Sequence, residues 1–241
     1  MSVCTVHTLT VSILVPCFWR ETLLSAVLLP TLSGWGQGGN GQLGQGDTQH
    51  RGDGVGEMGD SLFAIRLGDG FTASSVTTGY YHTCAVSTDN ELKCWGENGN
   101  AQLGLGNTVD RGNTAGTIPS NLPVVDLGTD FAVKEAAAGY YFTCATSTEG
   151  VMKCFGRNDY GQLGRGDRVN YIGDNTNELG DNLSPVLLGT GFSASGLHLP
   201  RSFGQFFGFA FEEAATGLLL KGNVPKCCGS ISVRCNEAAR C

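Results

Sequence analysis

The sequence predicts an all-β protein built from repeated units of four short antiparallel strands, the content of one β-propeller blade. Three observations predict this fold class: a repeat with a period of 60 residues, short runs of β-favouring residues between turns, and 37 glycines in a chain of 241 residues. Glycine at about twice its usual share of ~7% supplies turns between short strands. A long and regular period indicates stacked copies of one supersecondary unit.

The repeat is clearest in two copies, residues 79–110 and 139–170, where 17 of 32 aligned positions are identical. Both copies contain Gly-Tyr-Tyr, two cysteines ten residues apart, an aromatic residue followed by glycine, and Gln-Leu-Gly. A partial copy precedes them, beginning at Trp35-Gly36. The chain therefore contains fewer than four copies of the unit.

Within one copy, four runs of residues predict strands in chain order. Their alternation of apolar and polar residues and their flanking glycines favour strands over helices. The predicted strands of the second copy are residues 64–67, 74–77, 82–87 and 91–95. A long loop that contains Gln-Leu-Gly then leads to the next copy.

Each of these copies carries two cysteines that a hairpin places opposite each other. Cys84 and Cys94 are symmetric about Asp89 in the predicted turn, and Cys144 and Cys154 repeat this arrangement. Cβ atoms of facing residues lie about 4.5–5.5 Å apart, close to what a disulfide requires. We hypothesise one disulfide per hairpin, each worth roughly 2–3 kcal/mol on the loop-entropy model. Two facing reduced thiols are the alternative, because the compartment is unknown.

One aromatic position recurs in every copy and is occupied by Trp35, Trp95 and Phe155. An aromatic side chain at a repeating position usually fills the space between neighbouring units. We therefore predict that these three residues pack between blades, with ligand stacking as the alternative.

The charge and the lengths of the apolar stretches argue against nucleic-acid binding and against a membrane span. The net charge is −7 and the sequence has no basic run, so direct binding of nucleic acid through a basic patch is not expected. No stretch reaches the ~20 apolar residues of a membrane span. The sequence therefore predicts no transmembrane segment.

No residue pattern predicts a catalytic, cofactor or metal site. His82 is replaced by Phe142 in the next copy, so packing or a hydrogen bond explains it better than proton transfer. Asp53, Glu57 and Asp60 recur as acidic residues in the third copy but are neutral in the second. We interpret them as a solvated acidic loop, with a calcium site as the alternative.

Together the motifs carry a family resemblance. In the second copy they are His-Thr-Cys-Ala-Val at 82–86, Cys-Trp-Gly at 94–96 and Gln-Leu-Gly-Leu-Gly at 102–106. This set resembles the repeat of the regulator of chromosome condensation family, over about residues 35–192. The resemblance implies a β-propeller of four-stranded blades, usually seven, around a central channel.

The chain departs from that plan, since seven copies at this period need roughly 400 residues and the pattern stops after residue 192. We expect an incomplete propeller with irregular N- and C-terminal extensions: a fragment, a mis-predicted product, or a piece that self-associates through open blade edges. The expected divisions are an apolar segment at 1–33, signal-like or mis-predicted, the repeats at 34–199, and a Phe- and Cys-rich tail at 200–241.

The predicted function is a non-enzymatic protein-interaction module, because blade loops display polar segments on a rigid scaffold. The resemblance implies one alternative, a guanine-nucleotide exchange factor for a small GTPase, although no residue of this chain maps to that activity. A fragment of a larger extracellular disulfide-containing protein is the other alternative. We expect a secretory or extracellular location if the hairpin cysteines are oxidised, and a cytoplasmic or nuclear one otherwise.

Overall fold

The computed structural model describes residues 11–14, 31–190, 193–198 and 209–212. Within these ranges all regular structure is β-strand or short 3-10 helix, and no α-helix occurs. The predictions for the apolar segment 1–33 and for the tail 200–241 fall almost entirely outside the described residues. None of the helices in the described ranges has the length and apolar character that crossing a membrane requires.

The strands are short, as the runs between glycines predict. They are β1 (Val11–Leu14), β2 (Leu32–Trp35), β3 (Ala64–Ile65), β4 (Ala73–Thr78), β5 (His82–Ser87), β6 (Leu92–Gly96), β7 (Val133–Ala138), β8 (Phe142–Ser147), β9 (Met152–Arg157), β10 (Tyr171–Ile172), β11 (Ala194–His198) and β12 (Phe209–Glu212). Five 3-10 helices lie in the loops: Gly59–Ser61, Ala115–Thr117, Pro119–Asn121, Thr176–Glu178 and Gly180–Asn182.

Two central sheets share one design. Strands β4, β5 and β6 form an antiparallel meander that we call blade 2, and β7, β8, β9 and β10 form blade 3. Both meanders shift register at the same place, between Ala73 and Ser75 and between Val133 and Glu135. In blade 2 the counterpart of β10 is a single bridge between Gly96 and Arg111. The four-stranded antiparallel blade predicted from the repeat is therefore confirmed in blade 3.

The structure differs from the sequence prediction at the strand predicted for residues 64–67. The sequence analysis assigned it to the same sheet as the three strands after it, but β3 pairs with β2 of the preceding copy, blade 1. The later loops likewise come back to the sheet that precedes them. The Val125 N–H donates to the Leu92 carbonyl at 2.7 Å, and the Val186 N–H donates to the Met152 carbonyl at 2.8 Å. Each long loop thus satisfies backbone groups at the edge of the sheet it has just left, before the chain crosses to the next blade.

The blades lie side by side around a shared core. Buried residues of blades 2 and 3, among them Leu92, Phe142 and Phe155, form one continuous apolar cluster. The first strands of the two blades, β4 and β7, are neighbours, since the Ala138 N–H donates to the Thr77 hydroxyl at 3.2 Å. Beyond blade 3, β11 pairs with β12 and lies beside β7 and β8. The described residues therefore form an open, incomplete β-propeller.

Candidate functional site

The Gly-Tyr-Tyr turns meet at the boundary between blades 2 and 3. They join β4 to β5 and β7 to β8, and their four rings form one cluster in which neighbouring centroids lie 4.2, 4.4 and 4.3 Å apart. Two of the neighbouring pairs are T-shaped, with ring planes inclined by 60° and 67°, and the Tyr80–Tyr140 pair is tilted by 34°. We call this cluster the tyrosine face; its members are Tyr80, Tyr81, Tyr140 and Tyr141.

Glycine at the start of each turn allows this close approach. A Cβ atom on Gly79 would collide with the ring of His82 and with the carbonyl oxygen of Gly139. The Tyr80 N–H donates to the same Gly139 carbonyl at 3.3 Å, so one turn binds the other directly. The recurring Gly-Tyr-Tyr motif therefore positions the tyrosines through backbone contact between blades.

The tyrosine face is partly open to solvent. Tyr140 is buried, whereas Tyr80, Tyr81 and Tyr141 are half-buried. A hydrogen bond with Tyr80 raises the pKa of Tyr81, and burial raises the pKa of Tyr140 and of Tyr141. These phenols therefore stay neutral at physiological pH, and those at the surface can exchange hydrogen bonds with a ligand.

One charged residue of each blade borders the tyrosine face, and the two charges are opposite. The Glu97 N–H donates to the Tyr81 carbonyl at 2.9 Å, and the Arg157 N–H donates to the Tyr141 carbonyl at 2.9 Å. The Arg157 guanidinium lies 5.9 Å from the Tyr141 ring centroid and donates to both carboxylate oxygens of Asp159, at 2.8 and 2.6 Å. Blade 3 thus supplies a cation to its tyrosine, whereas blade 2 supplies a carboxylate.

Glu97 is the most unusual group at this surface. Its side chain is half-buried, and its Oε2 atom is buried without a hydrogen-bond partner. Burial, and then the charge of Asp110, raise the pKa of the Glu97 carboxyl. The Asp110 carboxylate itself accepts the Asn98 N–H at 2.7 Å. Glu97, which borders the tyrosine face, thus has a second acidic group near its carboxyl.

The predicted cysteine pairs face each other in the hairpins. Cys84 is opposite Cys94 in the β5–β6 register, and Cys144 is opposite Cys154 in the β8–β9 register. The two sulphur atoms of each pair are placed as a disulfide. The state of these cysteines in the cell stays a prediction.

The recurring aromatic residues differ in their surroundings. Trp95 is fully buried, and its indole N–H donates to the Gln42 carbonyl of the preceding copy at 3.0 Å. Phe155 is also fully buried, and a Cβ atom on Gly104, whose φ is +65°, would approach its ring to 2.7 Å. Trp35 is half-buried and lies beside the loop of its own copy, at Gly52. Trp95 and Phe155 thus contact the copy before their own.

His82 makes a hydrogen bond between blades. Its Nε2 atom lies 2.9 Å from the Thr143 hydroxyl, which donates its proton to the Gln102 carbonyl at 2.8 Å. Nε2 must therefore carry the proton, and Nδ1 is buried without a partner. Complete burial lowers the pKa of His82 from 6.5 to about 3. The packing interpretation explains this neutral ring, which has no access to a substrate.

The sequence analysis missed two buried lysines, although both copies carry lysine at this position. Lys93 donates to the Leu67 carbonyl at 2.9 Å, and Lys153 donates to the Leu127 carbonyl at 2.7 Å. Both ammonium groups lie over a phenylalanine ring, at 5.0 and 5.4 Å, and burial lowers the pKa of both lysines. Each lysine therefore links its own strand to the segment that carries the accepting carbonyl group.

The acidic loop has a structural explanation. One carboxylate oxygen of Glu57 accepts the N–H groups of Gly52, Asp53 and Gly54, at 2.9, 3.1 and 2.8 Å. The Thr117 hydroxyl takes the corresponding place in the second copy, accepting the Gly112 N–H at 3.1 Å. In the part of the chain that the structure describes, no three His, Cys, Asp or Glu side chains are placed to hold a metal ion.

Known proteins share this repeat. The family described as "Regulator of chromosome condensation (RCC1) repeat" matches residues 73–102, 133–162 and 89–146. The chain is 32% identical to the ultraviolet-B receptor UVR8 of Arabidopsis thaliana, over 62% of this chain and 30% of the receptor. It is 31% identical to Protein RCC2 of Homo sapiens, over 57% of this chain and 23% of RCC2.

A solved structure shares the fold. Prp20p of Saccharomyces cerevisiae superposes with a TM-score of 0.50 at 16% identity, over 72% of this chain and 42% of Prp20p. This chain thus spans less than half of that structure and about a quarter to a third of the two curated relatives. Residues 73–162 of this chain are therefore repeats of the regulator of chromosome condensation family, in a partial propeller with fewer than four copies.

Proposed function

We propose that this chain is a non-enzymatic protein-interaction module that binds a partner protein through the tyrosine face. One observation carries the proposal: two equivalent turns on neighbouring blades bring four tyrosines into contact, with Glu97 and Arg157 at their border. Tyrosine and arginine are enriched in protein interfaces, where tyrosine combines a large apolar surface with a polar hydroxyl. Three half-buried rings on a rigid scaffold suit this role.

The environment of His82 supports a role other than catalysis. A histidine is the usual general acid or base near neutral pH, but this ring is fully buried and its Nε2 atom is bound to Thr143. The two buried lysines likewise bind backbone carbonyls. These perturbed groups therefore hold blades and loops together.

Site-specific photo-crosslinking tests the proposal directly. We would place p-benzoylphenylalanine at Tyr81 or Tyr141 of the full chain expressed in its natural host. Tyr171, which is 39% exposed and lies outside the tyrosine face, is the matched control position. We expect both test positions to give the same adduct, identified by mass spectrometry, and the control position to lack it. Failure to form an adduct at either test position, or an equal adduct at Tyr171, would refute the proposal.

Guanine-nucleotide exchange remains the alternative from the same family. Prp20p binds Gsp1p and histones, which makes protein ligands of those kinds candidates here. We would measure release of a fluorescent guanine nucleotide from a panel of small GTPases in the presence of the full chain. Our proposal expects the intrinsic release rate to be unchanged. Acceleration that Tyr81→Ala abolishes would favour the exchange activity instead.

The cysteine pairs favour a further candidate, a piece of an extracellular repeat protein, because facing pairs suit an oxidising compartment. We propose that location only if the cysteines are found oxidised in protein isolated with a thiol-blocking reagent.

Self-association through open blade edges also remains a proposal. Sedimentation velocity over a range of concentrations would reveal it as a concentration-dependent sedimentation coefficient.

A further inference from the structure

We infer that the tyrosine face holds a lysine or arginine side chain of the partner protein, bound between the tyrosine rings and the carboxylate of Glu97. This inference rests on the proposed function, since it names the chemistry of the partner at the same surface. It follows from an unpaired carboxylate oxygen, from the contrast between the two blades, and from the local charge.

The unpaired oxygen is the first observation. Glu97 Oε2 is shielded from solvent and accepts no hydrogen bond. An ionised oxygen removed from water is unfavourable unless a donor or a cation compensates it. No ion pair found among the described residues includes Glu97; those found join Arg51, Arg157 and Arg165 to aspartates of their own loops. The half-buried side chain of Glu97 therefore has no cation among the described residues to compensate its charge, and a cation from a partner would supply that compensation.

The contrast between the blades is the second observation. In blade 3 the guanidinium of Arg157 lies over Tyr141, 5.9 Å from the ring centroid. In blade 2 the same repeat position carries Glu97, and no cation–π contact to Tyr81 occurs within the described ranges. A cation supplied by the partner would complete at Tyr81 the arrangement that blade 3 makes with its own arginine.

The local charge favours a cation as well. Asp110 lies close enough to Glu97 for its charge to act on the Glu97 carboxyl, and the charge of Glu97 acts on the hydroxyls of both Tyr81 and Tyr141. Aromatic faces and carboxylates both attract ammonium and guanidinium groups. An acidic or neutral peptide would leave the Glu97 oxygen uncompensated.

Peptide binding to the full chain tests the inference. The probe is a fluorescein-labelled peptide of alternating glycine and lysine, compared with the same peptide carrying norleucine in place of lysine. We expect fluorescence anisotropy to show saturable binding of the lysine peptide only. Glu97→Gln should weaken binding about 10-fold. Glu149→Gln removes the same charge from an exposed hairpin turn of blade 3 and should change binding less than about 2-fold.

The outcomes separate the inference from the proposed function. Equal binding of the norleucine peptide, no lysine-peptide binding, or equal effects of Glu97→Gln and Glu149→Gln would each overturn the inference. Photo-crosslinking at Tyr81 and Tyr141 would still support the proposed function in those cases. Weaker peptide binding by the Glu97→Gln variant supports the inference when the variant has the same thermal unfolding midpoint as the parent chain. The Glu97→Asp variant keeps the charge, so it should retain binding, and it serves as the check against misfolding.

Discussion

Blades 2 and 3 share one backbone plan but differ in the chemistry they present. Both keep the cysteine pair, the buried lysine, the Gly-Tyr-Tyr turn and Gln-Leu-Gly. The positions that differ include His82 and Phe142, Trp95 and Phe155, and Glu97 and Arg157. The shared residues form the scaffold, whereas the differing residues change the blade boundary and the charge beside the tyrosine face.

The largest expected effect concerns the aromatic residue at the blade boundary. Trp95→Ala and Phe155→Ala should each lower the free energy of unfolding by about 3–5 kcal/mol, because both side chains are fully buried. Trp95→Phe, which copies blade 3, should cost only about 1–2 kcal/mol through the lost hydrogen bond to Gln42. Urea denaturation followed by circular dichroism measures these differences. Trp35→Ala is the control, and an equal loss there would contradict the distinction, since Trp35 is half-buried.

The cysteine pairs test whether the two hairpins are equivalent. Both close loops of the same separation, 10 residues, so replacing either pair by alanines should cost a similar amount, roughly 2–3 kcal/mol on the loop-entropy model. This difference in unfolding free energy between parent and variant should disappear when both proteins are unfolded in the presence of a reductant. Alkylation without reductant, followed by mass spectrometry, should leave Cys84, Cys94, Cys144 and Cys154 unmodified. Modification of all four would refute the disulfides.

The sequence predicted the blade but not how blades combine. The strand at 82–87 and the placement of Cys84 opposite Cys94 follow from local patterns, and the structure shows both in the β5–β6 hairpin. The partner of β3 did not follow, because a strand pattern does not say which sheet edge the strand joins. The tyrosine face was missed for a similar reason: it arises only when β4 and β7 become neighbours. A Gly-Tyr-Tyr motif that recurs at the same turn in two consecutive copies is the signal that could have found it.

Acidification should lower the stability of the fold through His82, whose counterpart in blade 3, Phe142, does not titrate. The pKa of His82 is about 3 in the folded chain and near 6.5 when unfolded. The unfolded chain therefore binds the proton more readily, and stability is lost as the pH falls from about 6.5 toward 3. Between pH 7.5 and pH 5 the expected loss from this one group is about 2 kcal/mol. His82→Phe, which copies blade 3, should remove that part of the acid sensitivity.

The outcome that would contradict this pH prediction is specific to His82. If His82→Phe shows the parent's acid sensitivity, the buried neutral histidine is not the origin of the effect.

The smallest expected effect is that of the charges beside the tyrosine face on stability. Arg157→Gln breaks the pair with Asp159, which is partly exposed, and should lower the free energy of unfolding by less than about 1 kcal/mol. Glu97→Gln should leave stability unchanged or raise it slightly, because it removes a partly buried negative charge that no cation among the described residues compensates. Thermal unfolding at pH 7.5 measures both. A large loss in Glu97→Gln would mean that this carboxylate supports the blade, which would contradict its assignment to binding. Stability that is indifferent to Glu97, together with peptide binding that depends on it, is the combination expected of a residue retained for a partner.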